Sequence, residues 1–152
     1  MTNSQPLRIL GIFNLEIYKH GQLIAQESNH NLVVNSGLTA IADMLRGITT
    51  GRAIANIGFG TNGNPTLATT TALTSPFLKP YTLISQPTPG RLEVDWTLAL
   101  TEANGLDIRE FGLVLANGTL LARKNRDLLQ KTSALTLQGK WIILINPVVT
   151  NG

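Results

Sequence analysis

From Leu7 to Tyr18 the chain alternates, with Leu7, Ile9, Phe13, Leu15 and Ile17 on one side at period two and Arg8, Asn14 and Glu16 on the other. That spacing predicts a strand with one face against a core. Lys19-His20-Gly21-Gln22 follows as a turn with a glycine free to take positive φ, so Leu23 to Glu27 reads as the returning arm of a hairpin. Asn31 to Val34 reads as a third short strand. The period then changes: Leu38, Ile41, Ala42 and Leu45 stand at i, i+3, i+4 and i+7, behind a capping residue, Ser36, and ahead of Gly47. This predicts one short α-helix over 36–46 with those four residues as its apolar stripe.

Between Ile48 and Pro80 the chain is rich in Gly, Thr, Asn and Pro. Ala53 to Phe59 is the one apolar segment there, and it predicts a strand buried on both faces. Residues 61–80 are expected to form an irregular excursion with one helical turn within Thr66 to Thr74. Alternation returns from Arg91 to Thr101, with Leu92, Val94, Trp96, Leu98 and Leu100 inward and Glu93, Asp95, Thr97 and Thr101 outward. Ile108 to Ala116 and Thr119 to Arg123 flank Asn117-Gly118, a strong hairpin signal of type I′. The last strand, Ala134 to Ile145, puts Leu135, Leu137, Trp141, Ile143 and Ile145 on one face. About eight strands with a turn every 8–12 residues predict a mainly β chain. The expected architecture is an antiparallel β-sandwich with one inserted helix, a single domain over 1–152 behind a short polar tail at 1–6.

Composition adds one constraint. Hydrophobic residues are 43% of the chain and charged residues only 14%, against roughly 25% in an average soluble domain. Polar cover therefore falls to Thr, Asn and Gly in turns, and the deficit predicts that part of the surface is covered by a partner. Ile142 and Leu144, apolar on the outward face of the last strand, are the candidate contacts. The net charge of +3 is far from the dense basic face of a nucleic-acid binder, so nucleic acid is not an expected partner. The chain has no cysteine, which excludes disulfides, thiolate metal sites and cysteine nucleophiles. The longest apolar run, Trp141 to Ile145, is too short for a membrane span, and Met1 to Pro6 lacks the features of a signal peptide. No membrane insertion and no Sec export are expected.

Residues that could carry chemistry are few. Gly58-Phe-Gly-Thr-Asn-Gly63 matches the dinucleotide fingerprint by letter, but Asn64-Pro65 follows where that site needs a helix N-terminus. His20 and His30 have no second histidine at ligand spacing, and no GxSxG surrounds a serine. Glu93 and Asp95 share a strand face about 7 Å apart, a separation that inverting glycosidases use, yet an exposed amphipathic strand shows such pairs routinely. Arg123, Lys124, Arg126 and Lys131 form the one dense charge cluster, suited to a solvated loop or to partner contact through Arg123, Lys124 and Arg126. No catalytic, cofactor-binding or metal-binding residues are assigned.

Several short motifs stand in a telling order: Asn31-Leu-Val-Val-Asn-Ser-Gly-Leu38, Ile57-Gly-Phe-Gly-Thr61, Ile108-Arg-Glu-Phe-Gly-Leu113 and Gly118-Thr-Leu-Leu-Ala-Arg123. In this order they resemble small structural proteins of tailed bacteriophages, of the tail-fibre or baseplate-attached type. The resemblance spans about Gly11 to Ile145. It implies a non-enzymatic virion component, assembled in the host cytoplasm, commonly trimeric and docked on other tail or capsid proteins. The length suits a short fibre, a fibre-to-baseplate adaptor or a capsid decoration protein. A lectin-like module binding a host-surface glycan, through loop 61–75 and the outward face of 91–101, is the alternative.

Overall fold

The structure is a computed structural model and describes residues 7–147; the tail expected at 1–6 lies outside them. Nine strands and one helix follow in order: β1 (Leu7–Lys19), β2 (Gln22–Val33), α1 (Asn35–Leu45), β3 (Ile54–Gly60), β4 (Phe77–Pro80), β5 (Leu83–Thr88), β6 (Arg91–Leu98), β7 (Asp107–Leu115), β8 (Leu120–Gln130) and β9 (Leu135–Pro147). All pair antiparallel in one sheet of order β4-β3-β7-β8-β2-β1-β9-β6-β5. The sheet curls until its halves face one another, as a sandwich does. Phe13 on β1 lies 4.6 Å from Phe111 on β7, and Phe59 on β3 lies 5.5 Å from Trp96 on β6, ring centre to ring centre. The mainly β, antiparallel architecture with one inserted helix is therefore present.

The halves are joined at both sides. β2 pairs with β1 as far as Asn31 and with β8 at Leu32 and Val33, so one strand belongs to both. On the other side β4 and β5 stand at opposite ends of the sheet order, yet only Tyr81 and Thr82 separate them in sequence. Lys79 on β4 reinforces this corner through Thr97 on β6, at 3.2 Å, and through Glu102, at 2.6 Å.

Four local expectations need correction. The arms expected at Leu23–Glu27 and Asn31–Val34 are one strand, because Ser28, Asn29 and His30 find ladder partners in Asn14, Phe13 and Ile12 on the long β1. Most of β2 is exposed, and an exposed strand needs no apolar alternation. The excursion at 61–80 is irregular only to Pro76, with one turn closed by Thr70 N–H on the Leu67 carbonyl. It ends in β4, and β5 follows. Both are edge strands and carry Pro80 and Pro87, which suppress a strand signal but are tolerated where one side of the ladder is unused. The type I′ geometry, with two successive residues at positive φ, is at His20 (50°) and Gly21 (78°); at the second hairpin only Gly118 (89°) is positive.

The fourth correction concerns α1. Ser36 does not cap it: its hydroxyl donates to the Leu120 carbonyl at 2.7 Å, and Val34 occupies the N-cap position. Gly37 and Ala40 form the buried face with Ile41 beside them, whereas Leu38 is 43% and Leu45 86% exposed. The helix lies so close to β8 that a Cβ on Gly37 would overlap the Leu121 carbonyl. Small residues thus face the sheet, and the leucines turn outward. Val34, Val114 and Leu120 make a second, smaller core with Leu73 from the 61–76 loop. Leu73 also packs on Gly58, which is why β3 is covered on both faces. No described helix is long and apolar enough to cross a membrane.

Candidate functional site

Glu110 on β7 and Arg123 on β8 are the most deeply buried charges of the motifs. Arg123 Nε donates to Glu110 Oε1 at 2.7 Å, and the remaining guanidinium donors reach Asn64 O (2.9 Å), Thr66 Oγ1 (2.6 Å) and Asn62 O (2.6 Å). Glu110 Oε2 accepts the N–H groups of Asn62 (3.0 Å) and Thr74 (2.8 Å). Both ends of the 61–76 loop are thereby tied to one ion pair. A buried ion pair persists only when its other hydrogen-bonding groups are met as well, and here the loop backbone meets them. Gly60 stands opposite Glu110 in the ladder, and a Cβ there would overlap its carboxylate. The glycine-rich turn after β3 thus houses a carboxylate of the chain itself. No helix follows Gly63, so this turn does not form the dinucleotide geometry that its letters match.

This arrangement divides the basic cluster. Arg123, expected as a partner contact, is 2% exposed and serves the interior. Lys131 is also fully buried; its ammonium donates to Asn104 Oδ1 (2.9 Å) and to the Thr132 carbonyl (3.0 Å), with the Leu100 carbonyl at 3.5 Å. Burial holds its pKa below the usual lysine value, and the nearby Glu102 offsets part of that shift. Lys124 and Arg126 stay at the surface beside a hollow of about 350 Å³, where Arg126 meets Glu27 at 2.6 Å.

Glu93 and Asp95 do project together from the outer face of β6, but Lys140 on β9 lies between them. Its Nζ is 2.6 Å from Glu93 and 3.5 Å from Asp95, and Arg91 Nε takes the second Glu93 oxygen at 2.6 Å. Hydrogen bonds from Lys140 and Arg91 hold the Glu93 carboxyl below its usual range. A glycosidase general acid needs the opposite shift, so Glu93 is not set up for that role. Beside it a polar hollow of about 360 Å³ is lined by Asn14, Glu16, Asp95, Thr97, Gln138 and Lys140. Asp95 Oδ1 is shielded from solvent at its wall, with Lys140 Nζ as its charged neighbour at 3.5 Å. Such a surface offers alternating donors and acceptors to a hydroxyl-rich ligand. His20 and His30 are exposed and apart, and among the described residues no three His, Asp or Glu side chains gather as a metal ion requires.

Ile142 and Leu144 occupy a different setting from the one expected. β9 is an interior strand between β1 and β6; Ile142 lies between Ile12 and Glu93, and Leu144 between Leu10 and Arg91. Ile142 is only 5% exposed and Leu144 is half-buried. The last strand is therefore covered largely by its own chain, and Ile142 is not an open contact. The larger uncovered apolar side chains are elsewhere, at Leu45, Leu67 (63%), Leu83 (57%) and Ile24 (56%). Sequence periodicity could not place them, because it reports which residues are apolar and not which face a neighbouring layer covers.

No family model, no curated protein and no solved structure matches the chain.

Proposed function

We propose that this chain is a non-enzymatic structural component of a tailed-phage particle, a short fibre or fibre-to-baseplate adaptor that self-associates and docks on other virion proteins. A capsid decoration protein is the nearest variant. The supporting observation is the use made of the motif residues on which the phage resemblance rests. Glu110 and Arg123 bind a loop to the sheet, Gly60 makes room for that pair, and Gly37 seats the helix. Their charges are consumed inside the framework, as suits a part whose task is a fixed shape. Leu45 and Leu67, exposed on a chain with 14% charged residues, supply apolar area for assembly.

Mass photometry of the purified chain tests self-association, with an expected mass about three times the 16.4 kDa of one copy. Binding to the tail and capsid proteins encoded in neighbouring reading frames tests docking. A clean monomer with affinity for none of them would remove the proposal. The polar hollow around Asp95 favours a second reading, recognition of a host-surface glycan. Under it, glycan-array binding is present and is lost on Asp95→Ala; a silent array would rule it out.

A further inference from the structure

β1 and β2 run side by side only as far as Gly11 and Asn31. One residue on, β2 has crossed to β8, with Leu32 opposite Arg123, while β1 stays with β9 back to Leu7, opposite Pro147. The strands part like the tines of a fork. Over Arg8–Leu10 the edge of β1 that faces the gap has no backbone partner among the described residues. The gap is a hollow of about 810 Å³, with Leu10 on one wall, Leu32 on the other and Leu38 of α1 above. Leu32 and Leu38 are 40% and 43% exposed.

Two further features make this more than an apolar hollow. At the apex the Asn31 amide lies flat against Gly11, where even a Cβ would collide with it. Neither its Oδ1 nor its Nδ2 has a hydrogen-bond partner, although both are shielded from solvent. A shielded carboxamide with both ends unpaired is costly, and it matches the donor and acceptor of a peptide group. At the rim stand Arg8 and His30, both exposed and neither in an ion pair among the described residues.

We propose that the fork accepts a β-strand from another polypeptide, an extended segment that presents a carboxylate and two apolar side chains on one face at every second residue. Its backbone extends the ladder along β1, and the Asn31 amide turns out of its shielded place against Gly11 to pair with one of its peptide groups. Its apolar side chains enter among Leu10, Leu32 and Leu38, and its carboxylate meets Arg8 and His30. Charge selects this occupant over the others. Met1 to Pro6 contains no carboxylate and ends in a proline, and the same stretch of a second copy, Leu7-Arg-Ile-Leu10, brings a positive charge and no carboxylate. The inference stands apart from the phage reading, since a strand acceptor needs no particle.

The probe is the acetylated hexapeptide Asp-Thr-Val-Thr-Val-Thr, compared with its lysine-for-aspartate analogue and with an analogue whose threonines are prolines. Fluorescence anisotropy on the full chain is expected to give saturable binding of the first, weakened about tenfold in the lysine analogue by lost charge complementarity. The proline analogue, lacking three N–H donors, is expected not to bind. Amide shifts are expected to fall within Arg8–Gly11 and His30–Leu38. Leu38→Arg should abolish binding at unchanged Tm, since Leu38 is largely exposed. Asn31→Ala should weaken binding about tenfold, the loss of a peptide-group hydrogen-bond pair, with no fall in Tm because the amide has no partner to lose. Absence of saturable binding, equal binding of the proline analogue, or shifts elsewhere would overturn the proposal. So would a dimer that Leu38→Arg dissociates, which puts a second copy in the fork, or nuclear Overhauser contacts from residues 1–6 to the Leu38 methyls, which put the chain's own tail there.

Discussion

Arg123 Nε stands 2.7 Å from Glu110 Oε1 with the two side chains 1% and 0% exposed, which makes this the most deeply buried ion pair among the described residues. Removing one member leaves the other charged and alone. Arg123→Met is expected to destabilise the chain by about 3–5 kcal/mol in urea denaturation, the range for breaking a buried pair. Glu110→Gln should also destabilise: an amide oxygen can still accept from Asn62 and Thr74, but its NH2 then faces the Arg123 Nε–H and leaves that charge unpaired. Hydrogen exchange should show the amides of the 61–76 loop losing protection first. An Arg123→Met variant with unchanged urea midpoint would mean that the loop stays in place without the pair.

Gly37 predicts a second loss. A methyl at this position meets backbone of β8, which cannot swing aside as a flexible side chain can. Gly37→Ala should lower stability by about 1–3 kcal/mol through overpacking, despite alanine's better helix propensity. At Leu45, 86% exposed on the same helix, Leu45→Ala should leave the monomer's Tm nearly unchanged. Thermal unfolding followed by circular dichroism separates the two cases.

Acid should weaken the outer face of the sheet before it reaches the core. The Lys140 and Arg91 hydrogen bonds lower the Glu93 pKa, and the Lys79 hydrogen bond lowers that of Glu102. A carboxylate lowered in the folded state contributes stability that is present above its usual value near 4.5 and disappears as pH falls through the folded value. Urea midpoints measured from pH 6 to pH 3 should therefore fall, and the slope should be shallower in Glu93→Gln. Because these pairs are partly exposed, added salt should shrink the difference. An identical slope in the variant would exclude Glu93 as a source.

Lys131 should act in the same direction, but in the alkaline range. Its folded pKa lies below the usual 10.5, so the unfolded chain binds more protons in that interval and stability rises with pH across it. The ammonium nevertheless holds Asn104 and the Thr132 carbonyl in place. Lys131→Met removes both the cost of burying the charge and these bonds, and stranded acceptors cost about 1–3 kcal/mol. A net loss of stability at pH 7 with faster exchange over 99–105 is expected; a gain would mean that the burial cost outweighs the bonds.

Element type was legible wherever one face of an element packs and the other is wet. β1, β6 and β9 alternate, and they fall where the alternation puts them, although β6 ends at Leu98 and leaves Leu100 47% exposed. Legibility failed where neighbours decide. β4 and β5 are held by pairing against a composition rich in proline, and the second half of β8 is held by Asp107 and Ile108 opposite Gln130 and Leu129. In α1 the leucine stripe was plain, but the docking face was chosen by how closely the backbone could approach β8, a distance that favours Gly37 and Ala40. Among the candidate residues, the cluster of Arg123, Lys124, Arg126 and Lys131 looked uniform along the chain and was divided by the fold into buried anchors and surface charges.

By itself, the sequence determined the class, antiparallel strands with one helix and few charges, because period and composition are properties that each segment carries alone. Only the tertiary structure decided which charges go inside, that Ile142 is covered by its own sheet, and that β1 and β2 part beyond Gly11 and Asn31. Those outcomes depend on what lies opposite each residue, and pairing across the sheet joins positions such as Gly11 and Ile143 that no local window contains.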